Sequence, residues 1–277
     1  MSNTIPQNLD GVAKTLLIPL YYRAIESQRP DALLRDERAV AIVAQLGEDA
    51  FARIKQVKTD EADRAGLILR DREFDRYAQD FLARCPEAVV VQIGCGLDSR
   101  FERVDNGQVE WYDLDLPDVI ELRRRLIGGE RERYHLLACS VFDSGWLDAV
   151  GVHRPRPFLF LAEGVLIYFT EPQVKGLLLT LQTHFPGAEL VFDAYSPLLV
   201  WMNNLRVARA KIGARYQWAM KRGKDLEKWG DGIRLLDEWF YLDRYEPRLA
   251  SHWWMRRIPL LAKASGIYHY QLGSLTE

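Results

Sequence analysis

The chain predicts an α/β fold: a doubly wound parallel sheet, preceded by a helical cover and followed by an aromatic insertion. Three observations predict it. Apolar residues recur at helical spacing through the first 85 residues. From Ala88 onward, short β-branched runs alternate with helical segments, and parallel pairing needs that alternation because each crossover requires a connecting helix. Residues 196–255 break the alternation and hold six of the eight tryptophans.

Helices are expected over Thr15–Ser27, Asp36–Leu46 and Ala62–Ala83, the last with a break near Asp71. Ala88–Ile93 reads as the first strand. A helix then starts near Arg100, with Ser99 and Glu102 in the Ser-x-x-Glu spacing that satisfies free amides in a first turn. Val109–Asp113 is a second strand, and Pro117 opens a helix to Ile127, since proline is tolerated in a first turn. Tyr134–Ala138 and Phe158–Ala162 follow as strands, the latter apolar enough to be buried on both faces. Thr170-Glu-Pro-Gln173 caps a helix with Val174, Leu177, Leu178 and Leu181 on one face. Phe185-Pro-Gly187 ends it, and Glu189–Phe192 is the fifth strand. The insertion, with Trp201, Trp218, Trp229, Trp239, Trp253 and Trp254, reads equally as a satellite core or a lid over a pocket. A last strand pair is expected near Trp253–Ile258 and Ile267–Leu272. Residues 1–85 then form the cover and 86–277 the sheet domain, together one structural unit.

Composition excludes several classes. At 277 residues, 48% hydrophobic and 27% charged, the chain can bury a sizeable core. A net charge of −2 leaves no footprint for nucleic acid or an anionic membrane. Arg123-Arg124-Arg125 follows Asp118 and Glu121 on one helix, which suits a solvated helix end. No window approaches the roughly 20 apolar residues of a membrane span, and the N-terminus lacks a signal pattern. Cys85, Cys95 and Cys139 lack metal-ligand spacing, so reduced thiols, no metal and a cytoplasmic location are expected.

Chemistry concentrates at VVVQIGCGLDSR. Gly94 and Gly96 bare the backbone where the first strand meets a helix, which lets a ligand approach. About 20 residues on, Asp113-Leu-Asp115 offers two acids at the spacing that grips ribose hydroxyls. Alternate strand residues point the same way, so either acid could reach the ligand. A dinucleotide fold would want a third glycine where Ser99 stands, and no Lys-Ser/Thr follows the loop. Asp98 would set a carboxylate beside a pyrophosphate, whereas a cationic sulfonium would be at home there.

VVQIGCGLDSRFER, then WYDLDLPDVIELRRRLI, then LAEGVLIYFTEPQV, in that order, resemble the S-adenosylmethionine-dependent methyltransferases of the leucine carboxyl methyltransferase family, nearest the tetracenomycin-type polyketide O-methyltransferase branch. The likeness runs from about Thr15 to Tyr195 and implies a Rossmann-like class I methyltransferase sheet. It implies that Gly94 and Gly96 line the cofactor, that Asp115, with Asp113 as rival, holds the ribose, and that Ser140 and Val141 flank the adenine. Glu163 and Tyr168 would face the methionine end, Arg70 would pair with its carboxylate, and Lys14 would assist. The implied reaction moves a methyl group from S-adenosylmethionine to an oxygen of a small hydrophobic or aromatic acceptor. Tyr195, Trp201 and His252 are the acceptor-contacting candidates, with His252 also the one histidine worth testing as a base. Arg206, Arg209 or Arg215 could clamp a carboxylate acceptor, which needs no base because it is already ionised. The alternatives are a carboxyl methyltransferase acting on a peptide or protein terminus, a non-catalytic protein that binds the same cofactor, and an NAD-dependent reductase, disfavoured by Ser99 and Asp98.

Overall fold

A computed structural model describes residues 16–56, 59–210 and 215–274. The cover comprises α1 (Leu17–Ser27), α2 (Glu37–Leu46), a 3₁₀ turn (Glu48–Phe51), α3 (Ala52–Gln56) and α4 (Glu61–Arg84). α4 runs without a break through Asp71, whose buried side chain binds Arg23 instead of its own backbone. Asp36 and Asp60 cap α2 and α4 by accepting from Ala39 N and Asp63 N, the expected role of a short acid at a helix start.

The sheet domain follows as β1 (Val89–Ile93), α5 (Arg100–Val104), β2 (Glu110–Asp115), α6 (Pro117–Leu126), β3 (Tyr134–Ala138), α7 (Gly145–Gly151), β4 (Phe158–Ala162), α8 (Glu171–His184) and β5 (Ala188–Tyr195). α7 went unread in the sequence. The rest of the chain gives α9 (Pro197–Ala210), β6 (Ile233–Phe240), α10 (Pro259–Ala262) and β7 (Ser265–Leu272). Strand order is β3-β2-β1-β4-β5-β7-β6. The first five strands in sequence pair in parallel, and β7 runs antiparallel to both β5 and β6, so the sheet is mixed rather than wholly parallel.

Each face of the sheet carries its own core. Val89, Val91 and Ile93 of β1 point to α7 and α8, where Trp146, Val174, Leu178 and Leu181 are buried. Val90, one residue out of phase, points to α4 and α5, packing with Phe74, Ala78, Phe81 and Phe101. The strand's period of two therefore feeds both layers, as a doubly covered sheet requires. A third cluster joins α1 and α2 to α6 through Leu20, Ile42, Leu97, Leu122 and Leu126. It seats the cover beside the C-terminal ends of β1 and β2.

Three local expectations fail for identifiable reasons. Ser99 does not cap α5; its hydroxyl donates to Asp36 Oδ1 at 2.6 Å, and Glu102 pairs with Arg38. Trp253–Ile258 is no strand: Pro247–Arg257 forms a 3₁₀ segment, started by proline and by Glu246 accepting from Arg248 N. β7 instead pairs with β5 on one side and β6 on the other. Arg123 is not at a solvated helix end; it is 1% exposed and bonds Asp113 and Tyr134. By contrast, Gln173 does accept from Thr170 N at 2.8 Å at the start of α8.

The tryptophan-rich segment divides between core and surface. Trp218 and Trp229 pack on the α8 face and Trp239 and Trp253 on the α4 face, while Trp201 and Trp254 are exposed. No helix among the described residues is long and apolar enough to cross a membrane.

Candidate active site

A cavity of about 490 Å³ opens at the C-terminal ends of the parallel strands. β1 lies between β2 and β4 here, the point where strand order reverses and open α/β sheets bind ligands. Its floor is Gln92, Ile93 and the turn Gly94–Asp98 after β1. Asp115 and Leu116 enter from β2, Ser140, Val141 and Phe142 from the turn after β3, and Glu163 to Val165 from the end of β4. Tyr168, Tyr195 and Tyr216 form one wall, and Leu16, Ile18 and Pro19 of the cover complete the mouth.

The glycines answer to backbone geometry first. Gly94 and Gly96 have φ of +66° and +50°, which L side chains rarely adopt. A Cβ on Gly94 would lie 2.3 Å from Val165 Cγ2, and one on Gly96 2.9 Å from Leu16 Cδ2. Bare backbone at this corner thus lets the protein close on itself as well as line the cavity.

The structure separates the two acids of β2. Asp115 reaches the cavity, where its Oδ2 accepts from Gly96 N at 2.8 Å and its Oδ1 from Leu116 N at 2.7 Å. Burial pushes its carboxyl pKa up, against those two amides, which pull it down. Asp113 is fully buried and away from the cavity. It accepts from Trp111 Nε1 at 2.8 Å and Tyr134 Oη at 2.6 Å and is ion-paired with Arg123. The ribose role considered for Asp113 is therefore corrected: its charge is used inside the α6 side of the fold.

Behind the floor, four guanidiniums share six carboxyl groups. Arg23 meets Asp36, Asp71 and Asp98; Arg103 meets Asp36, Asp75 and Asp98. Arg100 joins Asp75, Asp98 and Glu163, and Arg70 joins Glu163 and Asp193. Asp98 is thus no free charge beside the turn; burial opposes its ionisation, and Arg100, Arg103 and Arg23 outweigh that and hold its pKa low. Its carboxylate alone does not set this site against a phosphate.

Glu163 lies between Arg70 Nε at 2.8 Å and Arg100 Nη2 at 2.6 Å. Burial again opposes the charge, but Arg70 and then Arg100 prevail, and its pKa falls from 4.5 to about 2. A depressed carboxyl contributes stability above its unfolded pKa and loses it as pH falls toward the folded value. Thermal midpoints are therefore expected to drop as pH falls from about 5 toward 2, and Glu163→Gln to flatten that acid limb. An unchanged limb in the variant would place the acid sensitivity elsewhere.

Arg70, Gly94, Gly96, Asp115, Ser140, Val141, Glu163, Tyr168 and Tyr195 all line the one cavity. Lys14 lies outside the described residues, as does the side chain of Arg209. Three other expectations are corrected. Trp201 is 61% exposed on α9 and does not line the cavity. His252 sits on the 3₁₀ segment, 3.4 Å from Asp60 at the start of α4, because that segment is no strand. Arg206 and Arg215 are exposed and likewise outside the lining. Residues not singled out in the sequence include Tyr216, which stacks on Tyr168 with centroids 5.4 Å apart, and Phe142, edge-on to Phe169 at 4.7 Å. Only their aromatic character was visible; nothing local marks which aromatics face a cavity.

Comparison with known proteins agrees with this architecture. A family description, leucine carboxyl methyltransferase, matches residues 17–182. The tetracenomycin polyketide synthesis O-methyltransferase TcmP of Streptomyces glaucescens is 36% identical over 277 residues, covering 98% of this chain and 99% of the relative. An S-adenosyl-L-methionine-dependent methyltransferase, dpfgK, of Gibberella zeae is 30% identical over 263 residues, covering 89% and 88%. Among solved structures, a candidate methyltransferase from Thermobifida fusca YX superposes with a TM-score of 0.55 at 13% identity, over 91% of this chain and 94% of that one. A DUF574-family protein from Streptomyces avermitilis gives 0.56 at 14% identity, over 95% and 97%. At such identities the structural likeness speaks to the fold alone, whereas the sequence matches reach the family. The chain belongs to the leucine carboxyl methyltransferase family and is an S-adenosylmethionine-dependent methyltransferase.

Proposed function

We propose that the chain is an O-methyltransferase whose acceptor is a small hydrophobic or aromatic molecule with an oxygen already ionised near neutral pH. One observation carries this reading. The cavity joins an acidic, glycine-lined floor to an apolar and tyrosine-rich wall, and among the described residues that line it there is no histidine and no lysine. When bound, S-adenosylmethionine supplies an electrophilic methyl group on a cationic sulfur. Asp115 would accept from the ribose hydroxyls, Ser140 and Val141 would flank the adenine, and Gly94 and Gly96 would let the ligand lie against the backbone. Arg70 spends Nε on Glu163 and Nη1 on Asp193, which leaves Nη2 for the methionine carboxylate.

The acceptor side excludes water with Ile18, Pro19, Phe142 and Phe169 and presents the hydroxyls of Tyr168, Tyr195 and Tyr216. Burial pushes the pKa of all three tyrosines up, so at neutral pH they donate hydrogen bonds and do not abstract protons. Glu163, with a pKa near 2, is a weak base. No histidine among the described residues lines the cavity. A carboxylate or an acidic phenol needs no proton removed, only alignment at about 3–3.5 Å from the methyl carbon. The tyrosine wall can hold such an oxygen and leave one lone pair directed at the methyl group.

Two measurements test the reading. Calorimetry should show binding of S-adenosylhomocysteine, weakened by Asp115→Ala by about 1–3 kcal/mol through loss of a charge-assisted hydrogen bond. Transfer of a labelled methyl group to aromatic acids and phenols should give products whose label sits on oxygen. Unchanged affinity in the variant would remove Asp115 from the ribose, and label on carbon or nitrogen alone would overturn the oxygen acceptor.

A further inference from the structure

Residues 215–220, between α9 and β6, have no regular secondary structure, but their backbone is held from two sides. From α9, Asn204 Nδ2 donates to the Tyr216 carbonyl and Asn204 Oδ1 accepts from the Tyr216 amide, both at 2.9 Å. That pairing fixes the amide orientation, because a flip would set donor against donor and acceptor against acceptor. From the sheet side, Gln217 N donates to the Ile167 carbonyl at 2.8 Å and Gln217 Nε2 to the Tyr168 carbonyl at 2.6 Å. Met220 N donates to the Tyr195 carbonyl at 2.9 Å, and Trp218 is buried beside Phe192. Ordering a connecting segment costs conformational entropy, so bonds on both sides of one loop residue point to a role for its side chain.

What the bonds position is the Tyr216 ring. It stacks on Tyr168 at 18° and meets Tyr195 at 61°, with centroids 5.8 Å apart, and all three rings line the cavity. Tyr168 belongs to the turn after β4, inside the stretch that the family description matches, and Tyr195 ends β5. Tyr216 comes from the loop, outside that stretch, where a scaffold holds the groups that distinguish one ligand from another. Rings locked in stacked and edge-on geometry reward a flat π-system beyond its apolar area and lose little freedom on contact. We propose that Tyr216, set in place by Asn204 as a positioning residue, is the residue by which this enzyme prefers a flat, unsaturated acceptor ring over a saturated one of the same skeleton and charge. The assignment rests on the acceptor placement given above and deepens it by naming a specificity residue.

The test compares kcat/KM for labelled methyl transfer to 2-naphthoate and to decahydro-2-naphthoate, which share a carboxylate and a carbon skeleton but not the π-system. The unaltered protein should favour 2-naphthoate by about fivefold, the scale of one aromatic contact. Tyr216→Leu should lose most of that preference, and Tyr216→Phe, which keeps the ring, should retain it. Asn204→Ala leaves the ring but frees its backbone and should lower the preference part of the way. All three variants should bind S-adenosylhomocysteine within about twofold of the unaltered protein, because their changes lie on the acceptor side. Equal kcat/KM for the two acids in the unaltered protein would overturn the assignment. So would an undiminished preference in Tyr216→Leu, or in Asn204→Ala should Tyr216→Leu fold poorly. Loss of S-adenosylhomocysteine affinity in step with acceptor use would overturn it too, by making the ring a support for the cofactor pocket. Failure of the unaltered protein to methylate either acid while it binds S-adenosylhomocysteine would instead sink the acceptor placement, and the failures are therefore distinct.

Discussion

Replacing Arg100 with methionine should destabilise the fold by about 3–5 kcal/mol, the scale seen when one partner of a buried ion pair is removed. The side chain is wholly inaccessible and holds Asp75, Asp98 and Glu163 within 2.7, 3.0 and 2.6 Å. Its guanidinium carbon also lies over the Phe74 ring, 5.3 Å from the centroid. Methionine fills much of that volume, so what is lost is chiefly the positive charge shared by three largely buried carboxylates. Lysine would restore a charge but not a fork, and one ammonium cannot face three carboxylates in the geometry a planar guanidinium offers. Arg100→Lys should therefore fall between the two. Denaturant midpoints with an unchanged slope would measure the loss. A loss below about 1 kcal/mol would mean that the carboxylates take up protons or water with little penalty, contrary to their burial.

Asp113→Ala should produce a loss of similar size, again about 3–5 kcal/mol, from the other side of β2. Here the stranded group is Arg123, 1% exposed, which would keep Tyr134 Oη at 2.9 Å and the Gly96 carbonyl at 2.9 Å but no carboxylate. Trp111 Nε1 and Tyr134 Oη would lose an acceptor in the same step. The contrast with Asp115→Ala separates structure from binding. Asp113→Ala should lower the melting temperature and leave the affinity of the folded molecules for S-adenosylhomocysteine within about twofold, whereas Asp115→Ala should do the reverse. Equal effects on affinity would show that the Arg123–Gly96 bond transmits the loss into the turn after β1.

The β1 turn, the second acid of Asp-Leu-Asp and the end of β4 were legible because strand, glycine and acid occur in order at short range, and the parallel sheet then brings them to one edge. The choice between Asp113 and Asp115 was not legible. Both follow the same alternation, and only Arg123 and Tyr134, from α6 and β3, claim the first of them. Asp98 was misread for the same reason: its three cations come from residues 23, 100 and 103, and the first is remote in sequence. Near the C-terminus, an aromatic run at Trp253–Ile258 imitated a strand. Pro247 and the cap from Glu246 make the segment helical, and β6 lies earlier, at Ile233–Phe240. Which aromatics wall the cavity depends on where α8, β5 and the segment around Tyr216 come to rest, and no local pattern encodes that.

The shared carboxyl and guanidinium groups link segments that inheritance could otherwise exchange freely. Arg23 and Asp36 come from the first helices, Arg70, Asp71 and Asp75 from the fourth, Asp98 from the turn after β1, Arg100 and Arg103 from α5, and Glu163 and Asp193 from the end of β4 and from β5. A chimera that took its first 85 residues from one relative and the remainder from another would bring together halves of two different ionic sets. Such recombinants should fail more often than their sequence identity suggests, and compensating changes should arise in pairs drawn from opposite sides of that junction.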